Sequence, residues 1–187
     1  MAVKTFTTGE VLTASDTNTY LNNGGLVYKS TTTFTTVDPA NFTSAFSSNA
    51  KNYRVILRYT AAATTAVYLR WLVGSTVQTN NIYSLTGGNS TGSTGWTGAE
   101  RNDQYAVFAA AYATYQTSVV MDVLSPQVAE YTTHMGQYVT GLSATGQAMG
   151  TVTGRNSVTT QIDGFQITTA GATSLTGTMI LYEYRNA

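Results

Sequence analysis

Residues 52–60 read NYRVILRYT. Tyr53, Val55, Leu57 and Tyr59 fall on one side of an extended chain, and Arg54, Ile56 and Arg58 on the other. A strand points successive side chains to opposite faces, so this order builds one apolar face and one mixed face. AVYLRWLVG (66–74) repeats the device, with Val67, Leu69, Trp71 and Val73 opposite Tyr68, Arg70 and Leu72. The shared pattern predicts that the two strands are neighbours.

The remaining segments fit the same class. LVYKSTTTFTT reads as a strand that Asp38–Pro39 breaks. TSVVMDVLS reads as another, ended by Pro126. QYAVFAAAYATY suits either strand or helix. Residues 128–154 read as several short strands parted by Gly136, Gly141, Gly146 and Gly154. SVTTQIDGFQITT and LTGTMILYEYRN close the chain. The 36 Thr and 13 Tyr suit half-buried pleated surfaces. Residues 86–101, TGGNSTGSTGWTGAER, are low in complexity, and their Gly and Ser predict a loop without regular structure. The expectation is an all-β chain of eight to ten strands, an antiparallel β-sandwich or jelly roll. Residues 26–187 would form that domain and residues 1–25 a docking segment.

The docking segment carries the expected helix. Thr13 and Asp16 make a weak capping box, Tyr20 and Leu21 continue an apolar stripe, and Gly24–Gly25 stop it. Two or three turns are marginal alone in water, so this helix needs a surface to pack on. That surface is either its own domain or a partner, and Phe6, Val11, Leu12, Tyr20 and Leu21 are the candidate docking residues.

Charge and residue chemistry narrow the function. Nine cations balance nine carboxylates. A nucleic-acid groove needs clustered Lys and Arg, so none is expected. Arg54, Arg58 and Arg70 would form a positive stripe on one sheet, used in cross-strand pairing or an interface. There is no cysteine, and the single histidine, His134, has no acidic residue within three positions. We therefore expect no metal or cofactor, and no catalytic residue. No apolar run approaches the roughly 20 residues of a membrane helix. The opening also lacks a secretory pattern, so synthesis in a cytoplasm is expected. Glu100 and Asp103, beside Trp96, are the nearest thing to a paired-carboxylate or sugar site. A solvated loop edge explains them more simply, and they stand as a candidate ligand loop for a host glycan.

FTTGEVLTASDTNTYLNNGGLVY supplies a further reading. An aromatic (Phe6), then Gly9 to Ala14, then Asp16, Asn18, Tyr20 and Leu21, closely resembles the start of many small structural proteins of tailed bacteriophages. AFSSNAKNYRVIL (45–57) is similar to a segment that follows in those proteins, and LTGTMILYEYRN (175–186) to their usual ending. Lys51 stands where an acidic residue is common, and Glu183 where Gly is common. The resemblance implies a virion protein without catalysis. Its partners would be the major capsid protein or tail proteins, and by analogy with phage jelly rolls it would be a homo-trimer.

Overall fold

The computed structural model describes residues 7–11, 13, 25–48, 50–78, 82–87, 99–103, 106–143, 146–156 and 159–184; at 82–87, 99–103, 106–108 and 110 it describes the backbone alone. Among these residues thirteen strands run in chain order: β1 Leu26–Val37, β2 Ala40–Phe42, β3 Asn52–Ala61, β4 Thr65–Val73, β5 Thr76–Val77, β6 Ile82–Gly87, β7 Ala99–Asp103, β8 Ala106–Ala111, β9 Thr117–Leu124, β10 Thr133–Gly141, β11 Gln147–Asn156, β12 Gly164–Thr169 and β13 Leu175–Tyr184. No helix occurs among the described residues. The helix expected within 1–25 falls almost wholly outside them. The described part of that segment holds a tight turn, in which Glu10 N–H donates to Thr7 O at 3.0 Å and Gly9 takes a φ of +89°.

Two antiparallel sheets form. The large one has the order β1-β13-β3-β9-β10-β11-β6-β7. The small one has the order β2-β12-β4, with β5 and β8 both pairing the far edge of β4. The chain passes repeatedly between them, so both sheets contribute to one core. Tyr53, Val55, Leu57 and Tyr59 of β3, with Val119, Met121 and Val123 of β9, line it from the large sheet. Val67, Leu69 and Trp71 of β4, with Phe165 and Ile167 of β12, line it from the small one.

Phe46, in the connection from β2 to β3, joins the two linings. Its ring lies 4.9 Å from Tyr53, 6.0 Å from Phe165 and 6.4 Å from Trp71. The neighbouring Ser47 holds the Tyr53 hydroxyl, which donates to Ser47 O at 2.6 Å and accepts from Ser47 N–H at 2.8 Å. A buried phenol therefore keeps its hydrogen bonds, which is what allows Tyr to serve as a core residue.

Several expectations change. β3 and β4 are not neighbours: they lie in different sheets, and their apolar faces meet through the shared core. Alternation shows which side of a strand is buried, and not which strand lies beside it. The glycine-parted segment forms two long strands, β10 and β11, with Gly136 and Gly154 inside them. The Ala-rich 104–115 stretch contributes β8, and the ends of the low-complexity stretch belong to β6 and β7.

Glycine inside a strand here marks a close backbone approach. Gly177 of β13 pairs with Tyr59 of β3. A Cβ at 177 would collide with the Arg58 carbonyl oxygen and sit 2.7 Å from Tyr59 Cα. At Gly171 the nearest atom to an added Cβ is Thr173 Oγ1 at 4.0 Å. Gly177→Ala should therefore cost about 1–3 kcal/mol of unfolding free energy, while Gly171→Ala should be neutral within about 0.5 kcal/mol. Urea denaturation of both variants checks this; equal effects would contradict the close approach.

Candidate interaction surface

The large sheet turns one face to the core and the other outward. Register aligns the outward residues in rows across the strands. One row runs Tyr28, Tyr182, Arg54, Asp122, Met135, Thr153 from β1 to β11. The next runs Thr31, Ile180, Ile56, Val120, Gln137, Thr151. A third brings Arg58, Ser118, Val139 and Met149 together. Val120 is 43% exposed, Met135 51% and Met149 57%, with Val139 also exposed and Ile56 and Ile180 half-buried beside them. Four exposed apolar side chains on adjoining strands form a contiguous patch, the kind of surface that marks an interaction site.

One polar cluster interrupts this face. Arg54 donates from Nε to Asp122 Oδ1 and from Nη2 to Oδ2, both at 2.8 Å. Tyr184 O–H donates to Oδ1, also at 2.8 Å, and the Arg54 guanidinium lies 5.7 Å from the Tyr184 ring centroid. The Arg54 hydrogen bonds hold the Asp122 carboxyl below its ordinary range, against partial burial that pushes it up. The same hydrogen bonds raise Arg54. Burial, followed by the bond to Asp122, raises Tyr184. Asp122 stays ionised near neutrality, fully occupied by its two partners. Beside it is a shallow depression of about 410 Å³, walled by Arg54, Asp122, Val120, Met135, Gln137 and Thr151 among others.

The expected three-arginine stripe is divided. Arg54 and Arg58 share this face, but Arg70 belongs to β4 in the other sheet. Cross-strand pairing, the simpler use, holds for Arg54. Its partner lies 68 residues away, so no local spacing could show it.

Of the candidate docking residues, Phe6, Leu12, Tyr20 and Leu21 lie outside the described residues; Val11 is described and is 78% exposed. Trp96 also lies outside them. Glu100 and Asp103 fall on β7, opposite Leu85 and Ile82 of β6, so these two positions are in a strand and not in the expected loop. Among the described residues no group of three metal-ligating side chains occurs, and no helix is long and apolar enough to cross a membrane.

His134 is the group whose setting the sequence did not disclose. It is buried on β10, its ring 5.5 Å from Trp71 in an edge-on arrangement. Neither ring nitrogen has a hydrogen-bond partner among the described residues. Burial lowers its pKa to about 4. The chain matches no protein-family model, and no curated protein or solved structure matches it at a significant level.

Two pH windows follow from these groups. His134 is neutral when folded but takes up a proton below pH 6.5 when unfolded. Stability should therefore fall as pH drops from 6.5 towards 4, by up to about 3 kcal/mol. His134→Leu should flatten that part of the profile, and denaturant titrations at a series of pH values measure it. Asp122 acts lower: its contribution is complete above the unfolded value of 3.8 and is lost as pH falls through the lower folded value. Asp122→Asn should cost about 1–2 kcal/mol at neutral pH. An unchanged denaturation midpoint in that variant would show that the Arg54 pair contributes nothing net.

Proposed function

We propose that this chain is a non-catalytic structural protein on the exterior of a tailed-phage virion. Residues 1–25 dock it, and the β domain, a sandwich of jelly-roll type, is displayed outward as a capsid decoration or minor tail component. The observation that carries the reading is the opening motif, Gly9 to Ala14 with Asp16, Asn18, Tyr20 and Leu21, set ahead of an all-β body. Val11, within that motif, is exposed, as a residue awaiting a partner would be.

The other two segments of the resemblance have a physical role that suits a structural module. AFSSNAKNYRVIL supplies Phe46 and Ser47 at the core junction and Arg54 at the outer cluster. LTGTMILYEYRN supplies Gly177, which allows β13 close to β3, and Tyr184, which completes the cluster. Both segments thus act on one strand pair, β3 with β13. The expected assembly is a homo-trimer bound to capsid or tail proteins, and the place of action is the virion.

A second reading, a receptor module for host glycans, draws on Tyr28 and Tyr182. Their rings meet edge-on at 6.0 Å, in the same row as Arg54 and Asp122. Aromatic faces beside fixed polar groups suit sugar rings.

Quantitative mass spectrometry of purified virions tests the main reading. A copy number near that of the major capsid protein means decoration; a few copies that track the tail proteins mean a tail component. Absence from the particle defeats the proposal. Removal of residues 1–25 should abolish incorporation while the β domain keeps its cooperative unfolding.

A further inference from the structure

The large sheet ends at β1, and this edge differs from the others. Among the described residues β1 pairs with β13 alone, so its other side has no strand partner. The remaining edge strands are short: three residues in β2, two in β5, five in β7 and six in β8, against twelve in β1. An edge offers its N–H and C=O groups to any further strand, and proteins guard it with Pro, a projecting Lys or a short strand. β1 contains no Pro. Its one lysine does not project from the edge. Lys29 Nζ donates to Ser47 Oγ at 3.0 Å and lies 3.5 Å from Glu183 Oε2 and 5.7 Å from the ring centroid of the core residue Tyr53.

Two irregularities bound the part of β1 that can take a partner. One falls between Tyr28 and Ser30, the other between Phe34 and Val37, where Thr36 takes a φ of +52°. Bulges bend a strand and interrupt its ladder. Between them Ser30–Phe34 is regular, reads STTTF and carries no charge. Thr31, Thr32 and Thr33 are exposed. The middle of the stretch is Thr32. A two-fold axis there lays the stretch of a second copy antiparallel along this one from end to end, with Thr31 opposite Thr33, Thr32 opposite itself and Ser30 opposite Phe34. No like charges meet, and Thr–Thr pairs across strands are favourable. Strand addition draws affinity from the main chain and specificity from pockets for alternate side chains. Three short threonine side chains make no such pocket, so this edge has little with which to select a foreign sequence. What it can match is the length of a regular stretch between two bulges, and a copy of itself carries that.

We infer that Ser30–Phe34 of β1 pairs antiparallel with the same stretch of a second copy, about a two-fold axis at Thr32, so that the large sheets of the two copies continue into one. Such a contact is isologous, the same patch on both partners. It adds to the trimer expected in the virion and does not replace it, since a two-fold contact doubles whatever unit it joins. The inference rests on strand register and not on the virion reading. It is measured on the purified full-length chain, so its failure leaves virion membership to be decided separately.

The experiment is sedimentation velocity with light scattering on the wild-type chain, on Thr31→Lys/Thr33→Lys and on Thr31→Glu/Thr33→Glu. The substituted positions are exposed, so circular dichroism and the unfolding transition should be unchanged. One edge is a small contact, so the comparison is made at about 100 µM chain. Each variant sets like charges opposite each other twice across the proposed axis, and like charges directly opposite are destabilising. Each variant alone should therefore have half the mass of the wild type. An equimolar mixture of the two sets Lys opposite Glu and should recover the wild-type mass. A wild type with the same mass as both variants overturns the inference, whether its edge is bare, covered by residues 1–24 or kept for another protein. A mixture that stays at half mass overturns it too, because the contact then does not run from Thr31 to Thr33. If the paired substitutions prevent folding, Thr32→Lys and Thr32→Glu take their place. Residue 32 lies opposite itself, so the same halving and the same recovery are expected.

Discussion

The aromatic junction at Phe46 is the contact on which the rest of the structure depends. Two sheets that share a core must be held in a fixed relation, and each alone would expose one apolar face to water. Phe46 touches Tyr53 of the large sheet and both Trp71 and Phe165 of the small one. Phe42 extends the cluster, with its ring 4.7 Å from Phe165 and 5.7 Å from Phe34 of β1. The central strands of both sheets are therefore clamped by a connection and not by a strand. The outward face of the large sheet keeps its rows in line because β3 is fixed from beneath. The partnering of Arg54 with Asp122 rides on that same alignment, since the two residues are in register across β3 and β9.

Local order in the sequence carried a good part of this fold. The alternation in 52–60 and 66–74 put Tyr53, Val55, Leu57, Tyr59, Val67, Leu69, Trp71 and Val73 on apolar faces; all are buried except Val73, which is half-buried against the core. It could not say which sheet each strand joins, because an apolar face looks the same whether its partner lies beside it or across the core. Leu72 was assigned outward and is buried as well. The glycines of 136–154 were read as punctuation, yet Gly136 sits within a strand because β9 passes too close for a side chain there. His134 illustrates another limit. It occupies an inward position between Gly136 and Thr132, and its burial follows from the register of β10, which no local pattern near it announces. The outer face was legible only in fragments: the arginines were noticed, but Asp122, Val120, Met135 and Met149 join them only when the strands are assembled.

Two kinds of observation bear on function, and they are separate. One is the opening motif, which is a matter of sequence alone. The other is the character of the folded surface, where Thr-rich strands surround an apolar patch with one self-satisfied charge pair. A surface of this kind loses little when it is covered, because its strongest charges already have partners and its exposed methyl groups gain by leaving water.

The placement of β1 has a consequence for how the molecule comes into being. β1 lies at the edge of the large sheet and hydrogen-bonds to β13, with Leu26 opposite Tyr184. Among the described residues, the first strand is thus secured by the last one. During synthesis residues 26–37 leave the ribosome early and must wait for residues 175–184 before they have a strand to join. Closing contacts this far apart in the sequence is slow, because the whole intervening chain has to be ordered first. β1 is thus made well before the strand that anchors it, so the segment that precedes β1 is held to the β domain only once residues 175–184 have been made.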